Sequence, residues 1–412
     1  LRLVLPQLDA WRPQLLEKIS ALTGTPVDAS QIAASWQTCG PTVDVRDIHV
    51  GLKDGGTMAV KRVTLALDVW QSLLHMRWQF RDLTFWQLQV HTNTPIQTND
   101  GGDSLKTDRI SDLFLRQFDH FTLRDSHLSF LTISGQRAEL AVPQLTWLNG
   151  RNRHRAEGQL SLSSLTGQHG VMQVRMDLRD EDGLLNKGRV WLQADDIDVK
   201  PWLGRWMQDN IALKSARFSL EGWMTIEKGD VASGDVWLKK GGASWQGDNE
   251  VHHLSVDNLT AHLSHDKQSW GFYIPDTRIA IDDKPWPSGA LAMAWIPAQD
   301  VGGDGHQRSD ELRIRASNLT LSGLSGLQPF ADKLAPSLGE LWRTTQPSGK
   351  INLLALDIPL QATEKTRFQA QWSDLAWKQW KLLPGAEHFS GSLNGSVEHG
   401  ELRARMTKAQ MP

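Results

Sequence analysis

The chain of 412 residues carries one cysteine, Cys39, which excludes an intramolecular disulfide and a cysteine-rich zinc or iron–sulfur centre. It has no long hydrophobic run: the longest, residues 290–296, is far shorter than the ~20 apolar residues of a membrane-spanning helix. No secretory signal is recognisable. There is no excess of charge of either sign. The 44 Lys and Arg face 47 Asp and Glu, so a basic face for nucleic acid is not expected. A single tyrosine, Tyr273, stands against 19 tryptophans.

Chemistry-bearing motifs are equally scarce. The sequence holds neither GxGxxG nor GxxxxGK[ST], and Gly323-Leu-Ser-Gly326 lacks the spacing of a nucleophile elbow. Cys39 has no nameable activating partner. His252-His253, and His262 with His265, read as solvent-side strand residues, because neighbours on a strand point to opposite faces. Asp180–Gly183 and Asp300–Gly305 lack the alternating ligands of a calcium loop and read as turns. Asp195-Asp196 read as the approach to a helix, where negative charge is favoured. An enzyme has no residues to rest on here, and no cofactor or metal is expected.

What is present is a two-residue periodicity. Val63, Leu65 and Leu67 alternate with polar or small neighbours. So do Met172, Val174, Met176 and Leu178; Phe218, Leu220 and Met224; Leu259 and Leu263; and Phe368 and Ala370. Such alternation marks strands with one apolar and one wet face, as in antiparallel sheets. Helical spacing is rare. It occurs in an N-terminal stripe, Leu8, Trp11, Leu15, Ile19 and Leu22, with Asp9 as N-cap and Gly24 as stop. It returns briefly at Asp68–Met76, Ser111–Phe118, Asp198–Asn210 and Leu327–Trp342. Polar, Gly-rich stretches at Thr98–Ser104 and Gly302–Ser309 read as loops. Most of the tryptophans read as core and cross-strand packing residues.

A dipeptide, Asp or Asn followed by Ile or Leu, recurs at Asp47, Asp82, Asp196, Asn258, Asn318 and Asp374, at intervals of 35, 114, 62, 60 and 56 residues. A unit of 55–60 residues holds about four to six strands, and repetition at that period indicates stacked units. Many strands then share one apolar face, with few helical segments to cover it. That face either closes on itself as a sandwich or barrel, or it is filled by an apolar ligand. Periodicity alone leaves both open.

Ile19-Ser-Ala-Leu-Thr-Gly-Thr-Pro-Val27, then Trp36, Gly40-Pro41 and Val45-Arg-Asp-Ile-His-Val50, resemble the opening of the AsmA-like family. The stretches 60–85, 160–175 and 373–391 carry the resemblance along the whole chain. It implies a mainly β fold, an elongated, twisted antiparallel β-sheet groove built from repeats with a few short helices as plugs. It implies an N-terminal amphipathic helix over residues 1–24, following a membrane anchor outside the chain. The repetitive groove would occupy 25–412, in approximate units 43–97, 110–210, 211–265, 266–334 and 335–412, and continue beyond. The function implied is non-enzymatic. It is a phospholipid bridge carrying acyl chains between the inner and outer membranes of a Gram-negative envelope, in the periplasmic portion of an inner-membrane-anchored protein. The partners implied are phospholipids, the inner membrane, and envelope proteins at either membrane. The groove lining would be Val63, Leu65, Leu67, Met172, Val174, Met176, Leu178, Phe218, Leu220, Met224, Leu259, Leu263, Phe368 and Ala370. The alternative is an envelope scaffold of closed β-sandwich repeats.

Overall fold

The computed structural model describes residues 9–37, 40–52, 55–76, 79–95, 113–131, 137–161, 171–200, 213–266, 269–286, 288–297, 310–334, 336–382, 384–396 and 399–406. Cys39, Leu8, Asp300–Gly305, both Gly-rich loops and the body of the helix expected at Asp198–Asn210 lie outside the described residues. Among those described, strands dominate. They are β1 (Val27–Asp28), β2 (Gln31–Gln37), β3 (Gly40–Gly51), β4 (Thr57–Leu67), β5 (Phe80–Pro95), β6 (His120–Leu131), β7 (Arg137–Asn149) and β8 (Arg153–Ser161). Next come β9 (Met172–Arg179), β10 (Lys187–Asp198), β11 (Leu213–Glu227), β12 (Asp230–Gln246), β13 (Val251–Asp266), β14 (Ser269–Ile274) and β15 (Ile279–Ile281). The last are β16 (Lys284–Pro285), β17 (Leu291–Ile296), β18 (Glu311–Thr320), β19 (Ser348–Pro359), β20 (Arg367–Trp377), β21 (Ala386–Ser396) and β22 (Gly400–Met406). The helices are α1 (Arg12–Thr23), α2 (Val69–His75), α3 (Gln328–Leu334) and α4 (Pro336–Thr345), with a π turn at Leu113–Gln117 and 3₁₀ turns at Leu321–Leu327 and Thr363–Lys365.

The chain forms two compact units, residues 1–194 with 223–231, and residues 195–222 with 232–412. In the first, β2 through β10 pair in sequence order, with β1 added to β3. The expected antiparallel pairing holds except between β5 and β6, which are parallel, so the sheet is mixed. A parallel neighbour cannot be reached by a tight turn. The return occupies residues 96–119 and ends in the π turn, which lays Phe114 and Phe118 on the apolar face. In the second unit β12, β13, β14, β17, β18, β19, β20, β21 and β22 pair antiparallel in succession.

The recurring Asp/Asn dipeptide has a structural meaning. Asp47, Asp196, Asn258, Asn318 and Asp374 all adopt left-handed backbone, with φ of 51°, 50°, 59°, 55° and 56°. Asp82 does not; in its strand the left-handed residue is Gln87, φ 51°. Asp and Asn tolerate this conformation better than other residues with a Cβ. Each left-handed residue is an irregularity that switches the parity of its strand. In β3 the inward residues are Val43 and Val45 before Asp47, then Ile48 and Val50 after it. In β5 they change from Leu83 and Phe85 to Leu88 and Val90. Asp47, Gln87 and Asp125 (φ 47°) sit at one level of adjacent strands, facing Lys61 and Pro143. Every strand crossing that level switches together, and the apolar face stays continuous. The amides freed at such points are met by neighbouring serines: Asp196 N–H donates to Ser219 Oγ at 2.9 Å and Asp374 N–H to Ser390 Oγ at 3.0 Å. Asp125→Val should therefore cost about 1–2 kcal/mol, while Asp125→Gly should cost nothing measurable. Hydrogen exchange of the β6 amides reads that difference.

The spans at the N-terminus and at Asp68–Met76 form helices, Ser111–Phe118 holds only a π turn among its described residues, and Leu327–Trp342 is divided into α3 and α4. Helix α2 is capped by Asp68, whose Oδ1 accepts from the Gln71 N–H at 3.0 Å, and it ends on left-handed Met76. Helix α1 ends on Gly24 as expected, but its N-cap is Trp11. Asp9 instead accepts the Ile32 N–H at 2.9 Å, tying the approach to α1 to the sheet. Asp195 and Asp196 lie inside β10 and precede no described helix, because Asp196 is a left-handed strand residue held by the Arg217 guanidinium at 2.7 Å.

Candidate functional site

Sheet register gathers the apolar residues into rows that run across the strands. In the first unit, cross-strand partners connect Ile32, Val45, Val63, Phe85, Leu123, Leu145, Gly158, Val174 and Leu192, one from each of nine successive strands. The row on the opposite face reads Asp44, Thr64, Thr84, Thr122, Thr146, Glu157, Arg175 and Trp191. Ion pairs lie on that wet face: Arg62–Asp44 at 2.6 Å, Arg153–Asp177 at 2.5 Å and Arg175–Glu157 at 3.0 Å. Arg153 donates to the Asp177 carboxyl and holds it below the usual carboxylate range. Exposed pairs of this kind add little stability; they keep one face in water.

The apolar face of the first unit is partly covered by the chain itself. Phe114, Leu115 and Phe118 of the plug segment pack on Val63, Phe80, Leu83, Phe85 and Phe121. Phe114 meets Phe121 edge-on at 5.2 Å between ring centroids, and Phe118 meets Phe80 at 5.5 Å. The plug is tied down by one buried amide. Asn149 Nδ2 donates to the carbonyls of Phe114 and Phe118 at 2.6 and 2.9 Å. Its Oδ1 accepts from Trp147 Nε1 at 2.7 Å and lies 2.7 Å from His154 Nδ1, while His154 Nε2 lies 3.1 Å from Asp180. Between this plug and α1 a cavity of about 190 Å³ remains, lined only by apolar residues, among them Leu16, Ile19, Ile32, Val45, Val60 and Phe114. The pocket is open on one side, and a wall without polar partners suits hydrocarbon better than ordered water.

The second unit leaves its apolar face more open. Its first 3₁₀ turn and α3 bring Leu321, Leu327 and Phe330 to one end, where Trp245, Leu213, Ala216 and Ile281 form a core. Trp245 Nε1 donates to the Gly326 carbonyl at 3.0 Å. Away from that plug, one row joins Leu263, Phe272, Met293, Ile314, Leu356 and Phe368, then Gly395 and Gly400. Phe272 is 37% and Met293 38% exposed, and Ile314, Leu356 and Phe368 are only half-buried. The same strands turn Arg313, Arg315, Asp357 and Gln369 to the other face, with Arg315–Asp357 at 2.6 Å.

The residues expected from alternation lie in separate groups in the two units. Val63, Leu65, Leu67 and Met176 belong to the first unit's packed cluster, and Val174 and Leu178 are buried beside it. Met172 pairs with Leu160 and Ala194 along the same strands. Leu259 is buried in the second unit, with Phe218 packed against it, and Leu263 shares its row with Phe368. Ala370 lies in the next row, between Leu354 and Leu393; Leu220 and Met224 are half-buried. His252 and His253 diverge as strand neighbours should, but only His253 is on the solvent side: His252 is 12% exposed and packs on the buried Trp245, while His253 is 44% exposed and pairs with Asp283 at 3.1 Å. Asp282, on a left-handed turn residue beside the strand, lies 2.8 Å from His252 and 3.5 Å from His253. No metal-binding group of His, Cys, Asp or Glu occurs among the described residues.

All of residues 1–412 match a family model described as YhdP protein. The chain belongs to the YhdP family. It is 73% identical over 412 residues to the intermembrane phospholipid transporter YhdP of Escherichia coli (strain K12), an alignment covering all of this chain and 32% of that relative. The chain thus spans about a third of the curated relative's length. No solved structure matches it. In this member of the YhdP family, alternation failed to single out Phe85, Leu123, Phe272, Met293, Ile314 and Leu356. In β5 and β6 the parity switches break the alternation into pieces too short to read, and β19 is a nearly continuous apolar run. Among the strands that hold these residues, the Asp/Asn dipeptide marks a left-handed residue only in β18, at Asn318.

Proposed function

We propose that the chain is part of a non-enzymatic phospholipid bridge, along which acyl chains lie on the apolar sheet face while headgroups stay in water. The observation that carries this reading is the row Leu263–Phe272–Met293–Ile314–Leu356–Phe368, an apolar row that the described residues leave partly exposed. From β13 to β20 the six paired strands that carry this row, spaced ~4.8 Å apart, extend about 24 Å. One leaflet of acyl chains spans about 15 Å, half of a bilayer core, so the row exceeds a single chain's length. Each methylene laid on it contributes about 0.8 kcal/mol. A row of like side chains offers no single site to hold a lipid in place, so movement along it needs no specific contact to be broken.

In this reading the second unit's lining is Leu263, Phe368 and Ala370, with Phe272, Met293, Ile314 and Leu356 added, and Phe218, Leu220 and Leu259 form its floor. Val63, Leu65, Leu67, Met172, Val174, Met176, Leu178 and Met224 are a separate apolar surface of the first unit, which its plug partly covers. The family supports it: the E. coli relative is named an intermembrane phospholipid transporter. On the same support, we place the chain's work between two membranes, with the periplasm as its compartment and phospholipid as its partner. Among the described residues no helix is long and apolar enough to cross a membrane. A scaffold of closed sandwiches would need this row sealed, and the exposure of Phe272 and Met293 counts against it.

Solvent extraction of the purified chain should yield phospholipid by mass spectrometry. A photo-crosslinking residue at Met293 or Phe368 should capture it, and one at Ala292 or Gln369 should not. Equal capture on both faces, or a chain free of lipid, overturns the reading.

A further inference from the structure

Helix α2 exposes its apolar side chains and buries none. Trp70 is 74%, Leu73 63%, Leu74 76% and Met76 90% exposed, and no residue of the helix is buried. Seven residues are too few to hold a helix in water unaided. Polar bonds to the flanking chain hold this one. Besides the Asp68 cap, the Ser72 hydroxyl donates to the Asp68 carbonyl at 2.6 Å and accepts the Gln79 N–H at 2.9 Å. The Met76 N–H returns to the Ser72 carbonyl. The protein thus spends fixed hydrogen bonds on presenting four apolar side chains to solvent, and packing gains nothing from them. Exposed apolar patches of this kind mark binding surfaces.

Charge and shape identify the occupant. Between Asp68 and Asp82 the sequence has no carboxylate and carries His75, Arg77 and Arg81; Arg81 is exposed where β5 begins, and Arg77 lies outside the described residues. A short turn with Trp, two Leu and Met, followed in sequence by Arg77 and Arg81, suits an anionic lipid surface. Tryptophan settles at headgroup level, aliphatic chains enter the acyl boundary, and arginines pair with phosphate. We infer that α2 docks the first unit onto the surface of a bilayer containing anionic phospholipid. Helix α2 joins β4 to β5, whose pair Leu67–Phe80 contributes to the apolar cluster of that unit. Docking would therefore hold a leaflet at one end of these two strands. The inference stands whether or not the apolar face conducts lipid.

Flotation of the full chain with vesicles of phosphatidylethanolamine and phosphatidylglycerol tests it. The chain should float with these vesicles and far less with phosphatidylcholine alone. The triple variant Trp70→Ser, Leu73→Gln, Leu74→Gln should bind at least about tenfold more weakly. Its thermal unfolding should match that of the parent, since none of these side chains is buried. Phe368→Asp, aimed at the apolar face of the second unit, should float like the parent, which separates docking from lipid carriage. A parent chain that does not float, or a triple variant that floats equally well, overturns the inference.

Discussion

A chain with Phe368→Asp is expected to lose most of its bound phospholipid, while Gln369→Asp one position along retains it. Phe368 lies between Leu356 and Gly395 in the open row, and Gln369 faces the other side between Ala355 and Asn394. A carboxylate on the apolar side cannot be covered by hydrocarbon without losing its hydration, at a cost of several kcal/mol. The acyl chain avoids it instead. Withdrawing about three methylenes forfeits about 2.4 kcal/mol, or a factor of about fifty in occupancy. Because Phe368 is only half-buried, the fold should survive. Phospholipid per chain, measured by mass spectrometry after gentle purification, reads the effect; equal lipid in both variants would count against the open row as the carrier. Leu65→Asp is a poorer probe, because Leu65 packs against the closed cluster of the first unit, where a charge would unfold the site before reporting on lipid.

The largest loss of stability is expected at Asn149. Its side-chain amide meets two plug carbonyls, the Trp147 indole and the His154 ring. Asn149→Leu keeps the approximate volume but strands all four partners in a region where Trp147 is 8% and His154 1% exposed. Each buried polar group left unmet costs about 1–3 kcal/mol, and these four share one network, so the total should be about 3–4 kcal/mol. The loss should be local. Hydrogen exchange should accelerate at residues 114–118 and along β7, with little change in β17 to β22 of the second unit. Uniform acceleration through both units would mean that Asn149 supports the fold as a whole and is not specifically the anchor of the plug.

The alternation of Val63, Leu65 and Leu67, and of Met172 through Leu178, was enough to establish a β protein with one wet and one apolar face, because side-chain direction in a strand repeats every two residues. That the sequence holds neither a nucleotide loop nor a nucleophile elbow was equally plain from residue order. Asp68 and Met76 bounded α2, and Gly24 ended α1, because caps are local chemistry.

Only the tertiary structure decided which apolar residues share a row. Register depends on pairings between strands distant in sequence, and it put Val63 in line with Val174, and Leu263 in line with Phe368. It also showed why the Asp/Asn dipeptide recurs, as left-handed residues that shift parity across neighbouring strands. The parallel β5–β6 pair and the Asn149 anchor were beyond local reading, since each joins segments tens of residues apart. The choice between a sealed face and an open one belonged to the fold as well. Burial is the sum of what packs over a surface, and no stretch of sequence records what fails to cover Phe272 and Met293.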